Sequence, residues 1–120
     1  MSSQQVNVAS IAGIEGLGFA PIYAASKHAV VGLSKSVARE QAPRNIRVNI
    51  VAPGSIHTPL LEEAMKDRGG AKNAIHKGNG MERVADPMEI ANVIGFLLSS
   101  ESSFVTGAVF TADGGLTAGQ

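Results

Sequence analysis

The order strand, helix, strand, helix, strand predicts an α/β protein with three parallel strands and crossover helices. Two observations carry this reading. Short apolar segments that break at glycine or proline stand at Val6 to Ala9, Ile46 to Val51 and Val105 to Thr111. Between them the apolar period lengthens to that of a helix, from about Pro21 to Gln41 and again after Asp86, and a parallel pair needs a connection of that length.

Each element has its own local justification. Val6 to Ala9 leads directly into Gly13, Gly16 and Gly18, which break any helix. Pro21 is tolerated in a first helical turn, and Ala25, Ala29, Leu33 and Val37 then repeat at four-residue spacing until Pro43 enforces a stop. This small-residue face suits close packing on a sheet, on another subunit, or on both. Ile46 to Val51 alternates apolar residues with Arg47 and Asn49 and ends at Pro53-Gly54. Leu60 to Lys66 suits a short helix, and the glycine-rich residues from Gly69 to Gly80 read as mobile. Asp86-Pro87-Met88-Glu89 is a helix start, with an aspartate cap, proline at the first position and glutamate at the third. Ile90, Val93, Ile94, Leu97 and Leu98 form the apolar face that follows. The whole order equals one βαβαβ half of a doubly wound dinucleotide-binding sheet.

Composition narrows the function classes. With 120 residues, 44% apolar and 17% charged, the chain has the length of one domain and is not compositionally disordered. Ten basic and ten acidic side chains balance, so there is no field to gather nucleic acid. The absence of cysteine removes disulfides, thiolate nucleophiles and thiolate metal sites together, and His28, His57 and His76 are too dispersed to form a local metal site. The sequence shows no leader pattern and no apolar run of membrane-spanning length, so a cytoplasmic location without a membrane partner is expected. Gly-x-Ser-x-Gly does not occur, which argues against a serine hydrolase. The spacing Gly13-x-x-Gly16-x-Gly18 is not the dinucleotide fingerprint, and a turn-rich loop is the better reading.

What carries chemistry is a pair. Tyr23, the only tyrosine, and Lys27 lie four residues apart and so share one helix face, with Ser10 thirteen residues upstream of Tyr23. An ammonium beside a phenol favours the phenolate, which supplies a proton donor and acceptor without histidine. Ser10 falls at the C-terminal end of its strand, where ligands bind in open parallel sheets.

Taken in order, Ser10, the Tyr23/Lys27 helix, the loop Pro53, Gly54, Ile56 and Thr58, and the final Thr106 to Gly115 run resemble the C-terminal half of the short-chain dehydrogenase/reductase family. The resemblance covers about Val6 to Leu116. It implies a partial Rossmann-like doubly wound parallel sheet without its N-terminal nucleotide-binding half, within which the family's Gly-rich turn, its NAD-or-NADP selector and its tetrad asparagine would lie. Residues 1–120 are then the catalytic and nicotinamide side of such a domain, with a mobile substrate lid at about 60–80.

The resemblance also implies roles. Ser10 hydrogen-bonds the substrate oxygen, Tyr23 acts as general acid and base, and Lys27 supports the phenol and binds the nicotinamide ribose. Pro53, Gly54, Ile56 and Thr58 hold the nicotinamide end of NAD or NADP, with Ile56 covering one ring face and Thr58 offering a hydroxyl. Shifting a phenol from a pKa of 10 to near 7 takes roughly 4 kcal/mol, more than one exposed ion pair supplies, so desolvation and the nicotinamide charge must contribute. The expected activity is oxidoreduction of a small alcohol or carbonyl substrate. Homo-oligomers are expected through the helices starting at Pro21 and Asp86 and the third strand. The alternative is a catalytically inactive fragment or interaction module derived from such an enzyme, with the same motifs.

Overall fold

A computed structural model describes residues 2–70 and 80–119. Strands β1 (Ser3–Val8), β2 (Ile46–Pro53) and β3 (Val109–Ala112) form one parallel sheet in that spatial order. Helix α1 (Pro21–Gln41) links β1 to β2, while α2 (Pro59–Met65) and α3 (Pro87–Leu98) lie between β2 and β3. The expected α/β order is present.

Ile50 and Val51 are successive residues of β2 and so point to opposite sheet faces. Ile50 packs with Ala9 and Val31, against the α1 side, and Val51 packs with Ile90 and Leu97 of α3. The sheet is therefore the middle of three layers, with helices supplying an apolar cover to each face.

Two boundaries differ from the sequence expectation. β1 begins at Ser3 rather than Val6, because Ser3, Gln4 and Gln5 pair in register with Ile46, Arg47 and Val48. Among the described residues this strand pairs on one side only, so polar side chains are tolerated on it. β3 starts at Val109 rather than Val105. Ahead of it, Val105 O accepts from the Arg47 and Asn49 side chains, the Val48 N–H donates to Thr106 Oγ1, and Gly107 turns with φ +72°. Side chains and a left-handed glycine there replace the ladder.

Of the partners expected for the small-residue face of α1, a sheet or another subunit, the sheet is not the one it meets. The buried residues of α1 are Ala24, Val31, Ser34 and Ala38, whereas Ala25, Ala29 and Leu33 are exposed. Ser34 fits against the sheet because its hydroxyl donates to Val30 O and accepts from Asn7 Nδ2 at 2.8 Å. The α3 face is as expected apart from Leu98, which is exposed. No helix among the described residues is long and apolar enough to cross a membrane. Of the expected mobile segment, residues 71–79 lie outside the described residues.

Candidate active site

Ser10 follows β1, Gly54 follows β2 and Asp113 follows β3, so all three stand at the C-terminal edge of adjacent parallel strands. Neighbouring strands lie about 4.8 Å apart, and this edge is where open parallel sheets bind ligands. The Ala9 N–H donates to Val51 O at 2.8 Å, which carries the pairing up to the residue before Ser10.

Ser10 caps a short 3₁₀ turn over Ile11–Gly13. Its Oγ accepts from the Ala12 N–H at 3.1 Å, and its carbonyl accepts from the Gly13 N–H at 2.8 Å. One lone pair of the hydroxyl is thereby committed, and the O–H remains suited to donate to a carbonyl oxygen. The turn is buried and packs on α1.

On α1, Lys27 Nζ lies 5.7 Å from the centre of the Tyr23 ring. The four-residue spacing does put both on one face, with Tyr23 47% exposed, accessible to a ligand yet partly enclosed. The Ile11–Gly13 turn that Ser10 caps packs on the same helix, with Gly13 against the Lys27 backbone and Val31.

The loop after β2 is held from two sides. Gly54 N–H donates to Ala112 O, and a Cβ at Gly54 would lie 3.1 Å from both Cα and Cβ of Asp113. Further on, the Ala85 N–H donates to Ser55 O and the His57 N–H donates to Ala85 O, so Ile56 and Ala85 form an isolated parallel bridge. The Ile56 side chain is half-buried against the Val51, Ile90 and Leu97 cluster, so part of it serves the core. Thr58 Oγ1 accepts from the Leu61 N–H and caps α2, which leaves its O–H able to donate. Pro53 is buried at the strand end.

Asp113 is the buttress of this loop. Partial burial works against its charge, but hydrogen bonds from Thr117 Oγ1, Thr117 N–H and Gly115 N–H outweigh that and hold its carboxyl below the usual range. A cavity of about 780 Å³ opens between the Asp113 turn and the start of α3, bordered by Ser55, Ala85, Ile90 and Ala112; Ser10, Tyr23 and Lys27 lie outside it. Among the described residues no cluster of three His, Cys, Asp or Glu could hold a metal ion.

The profile of a family described as enoyl-(acyl carrier protein) reductase matches residues 2–117. A short-chain dehydrogenase/reductase of Pyricularia oryzae is 46% identical over 110 residues. This chain belongs to the short-chain dehydrogenase/reductase family. That alignment covers 91% of this chain and 41% of the Pyricularia protein. The 3-oxoacyl-[acyl-carrier-protein] reductase FabG of Thermotoga maritima is 51% identical over 112 residues, covering 92% of this chain and 44% of that protein. Among solved structures, ElxO with NADP bound superposes with a TM-score of 0.87 at 34% identity, over 96% of this chain and 46% of ElxO. The chain thus spans less than half the length of these short-chain dehydrogenase/reductase relatives, and its three strands form part of a Rossmann-like sheet.

Two site features escaped the sequence reading. Gly13 and Asp113 owe their places to contacts with Lys27 and Gly54, more than a dozen residues away for Gly13 and more than fifty for Asp113, and no local pattern signals such contacts. The sequence carries only the Thr106 to Gly115 run, which marks a strand end but not what Asp113 touches.

Proposed function

We propose that this chain forms the proton-transfer and nicotinamide side of an NAD(P)-dependent oxidoreductase acting on small alcohols or ketones. The observation that carries the proposal is the Tyr23 and Lys27 pair on an exposed helix face, with the turn capped by Ser10, whose hydroxyl can still donate, packed on the same helix. The residues present suit a nicotinamide nucleotide. Lys27 offers an ammonium for ribose hydroxyls, Thr58 an O–H for a carboxamide or diphosphate, and Gly54 a turn without side-chain bulk. Pro53 and Ile56 hold that loop in shape, and its two clamps make it a fixed wall.

When bound, the nicotinamide supplies or accepts the hydride. In the reductive direction Ser10 donates a hydrogen bond to the carbonyl oxygen and orients it toward Tyr23. Tyr23 gives its proton to that oxygen as the carbon is reduced, and takes a proton from the alcohol in reverse. Lys27 stabilises the charge left on the phenol oxygen.

The test joins this chain to the N-terminal half of the Thermotoga maritima reductase and follows loss of reduced nicotinamide absorbance with a panel of small ketones. Turnover is expected with at least one ketone. Ser10→Ala should lower kcat by about a hundredfold with cofactor affinity kept, and Lys27→Met should damage both kcat and cofactor affinity. Unchanged kcat in both variants would contradict the assignment.

A further inference from the structure

We propose that Gly13 is a positioning residue that sets the distance between Ser10 and the Tyr23/Lys27 face, a role that rests on the function proposed above. Gly13 is buried at the end of the turn that Ser10 caps. A Cβ there would lie 2.9 Å from the Lys27 carbonyl oxygen, 3.2 Å from the Lys27 carbonyl carbon and 3.0 Å from Val31 Cγ2. The first separation is closer than real Cβ contacts allow, and its partner is backbone in the interior of α1. Val31 gives little room either, since it is 8% exposed and packed with Ala9 and Ile50.

An added methyl group therefore moves the turn rather than the helix. The movement reaches Ser10 directly, because the Gly13 N–H bonds the Ser10 carbonyl and the Ala12 N–H bonds Ser10 Oγ. A misplacement of about 1 Å in a catalytic group costs on the order of a hundredfold in rate. Neighbouring glycines provide the contrast. Nothing lies within 4 Å of a Cβ at Gly16 or Gly18, although both belong to the same loop.

The experiment compares Gly13→Ala, Gly16→Ala and Gly18→Ala in the completed enzyme described above. Gly13→Ala is expected to lower kcat about ten- to a hundredfold and to raise the solvent deuterium isotope effect, as proton transfer becomes slower, while NADPH affinity stays within about threefold. The other two variants should keep kcat within about twofold. A normal kcat in Gly13→Ala, or a kcat that falls only in parallel with NADPH affinity, overturns the proposal. If Gly13→Ala does not fold, the Gly13→Ala/Val31→Ala double variant removes the side-chain clash and keeps the one with the Lys27 carbonyl. It is expected to fold with kcat still depressed, and full recovery of kcat would overturn the role. Tyr23→Phe in the same enzyme separates the two readings: a dead Tyr23→Phe beside a normal Gly13→Ala removes only the positioning role, whereas an active Tyr23→Phe removes the function beneath it.

Discussion

Arg47 is the residue that ties the segment between α3 and β3 to β2. It is 8% exposed and, among the described residues, has no carboxylate partner; it donates instead to Ser102 Oγ at 3.1 Å, Val105 O at 3.1 Å and Ser99 O at 3.0 Å. Ser99 is the C-cap of α3, so the guanidinium sits against the negative end of that helix, where a cation is favoured. Asn49, two residues on and on the same face, donates to Val105 O and accepts from the Ala108 N–H. Arg47→Met would remove three hydrogen bonds while Val105 O keeps Asn49 and Ser99 O keeps Ser102, and we expect a loss of about 1–3 kcal/mol in urea unfolding. Equal stability of the variant would show that these carbonyls find other partners. Neither role was visible in the sequence, where Arg47 and Asn49 read only as the polar half of an alternating strand.

At the scale of elements, the best-read feature is the start of α3. Asp86 accepts from the Met88 N–H, and the Glu89 carboxylate accepts from the Asp86 N–H, completing the capping box that the four residues imply. Glu89 also takes both Arg83 donors, at 2.7 and 2.8 Å. These bonds, the Arg83 side chain first and the Asp86 backbone next, lower its pKa to about 2. A lowered carboxylate pKa stabilises above its ordinary value of 4.5, and that contribution is lost as pH falls toward about 2. Acid unfolding followed by helical circular dichroism should therefore flatten between those limits in Glu89→Gln. An unchanged pH slope would assign the acid sensitivity to other groups. Because Ala85 precedes the cap and bridges Ile56, loosening α3 should also loosen the candidate nicotinamide loop. The limits of α1, Pro21 and Gln41, were legible because proline marks both ends. Its buried face was not: a four-residue repeat of small side chains drew attention to Ala25, Ala29 and Leu33, yet the sheet selects the neighbouring stripe through Ser34 and Asn7.

On the whole-molecule scale, burial leaves apolar surface uncovered. Ile22 is 85% exposed, Leu33 66%, and Phe104 fully exposed. The outer edge of β1 adds a row of backbone groups that no described strand pairs. We expect the 120-residue chain to self-associate through these surfaces, and light scattering showing a clean monomer at roughly tens of micromolar would count against it. The chain alone is also expected to bind NADH and NADPH at millimolar or weaker, since the described residues offer contacts for the nicotinamide and its ribose but no Gly-rich turn at a helix N-terminus for a diphosphate. Micromolar binding in isothermal titration would reverse that expectation.

The most direct measurement of the central claim is the effect of Tyr23→Phe on the completed enzyme, read as kcat and NADPH affinity in parallel. Removing one phenolic oxygen should abolish turnover, by about a thousandfold or more, while the dissociation constant stays within about threefold, because the phenol acts on the proton and not on the nucleotide. Near-normal turnover, or a loss explained wholly by weaker NADPH binding, would contradict the account.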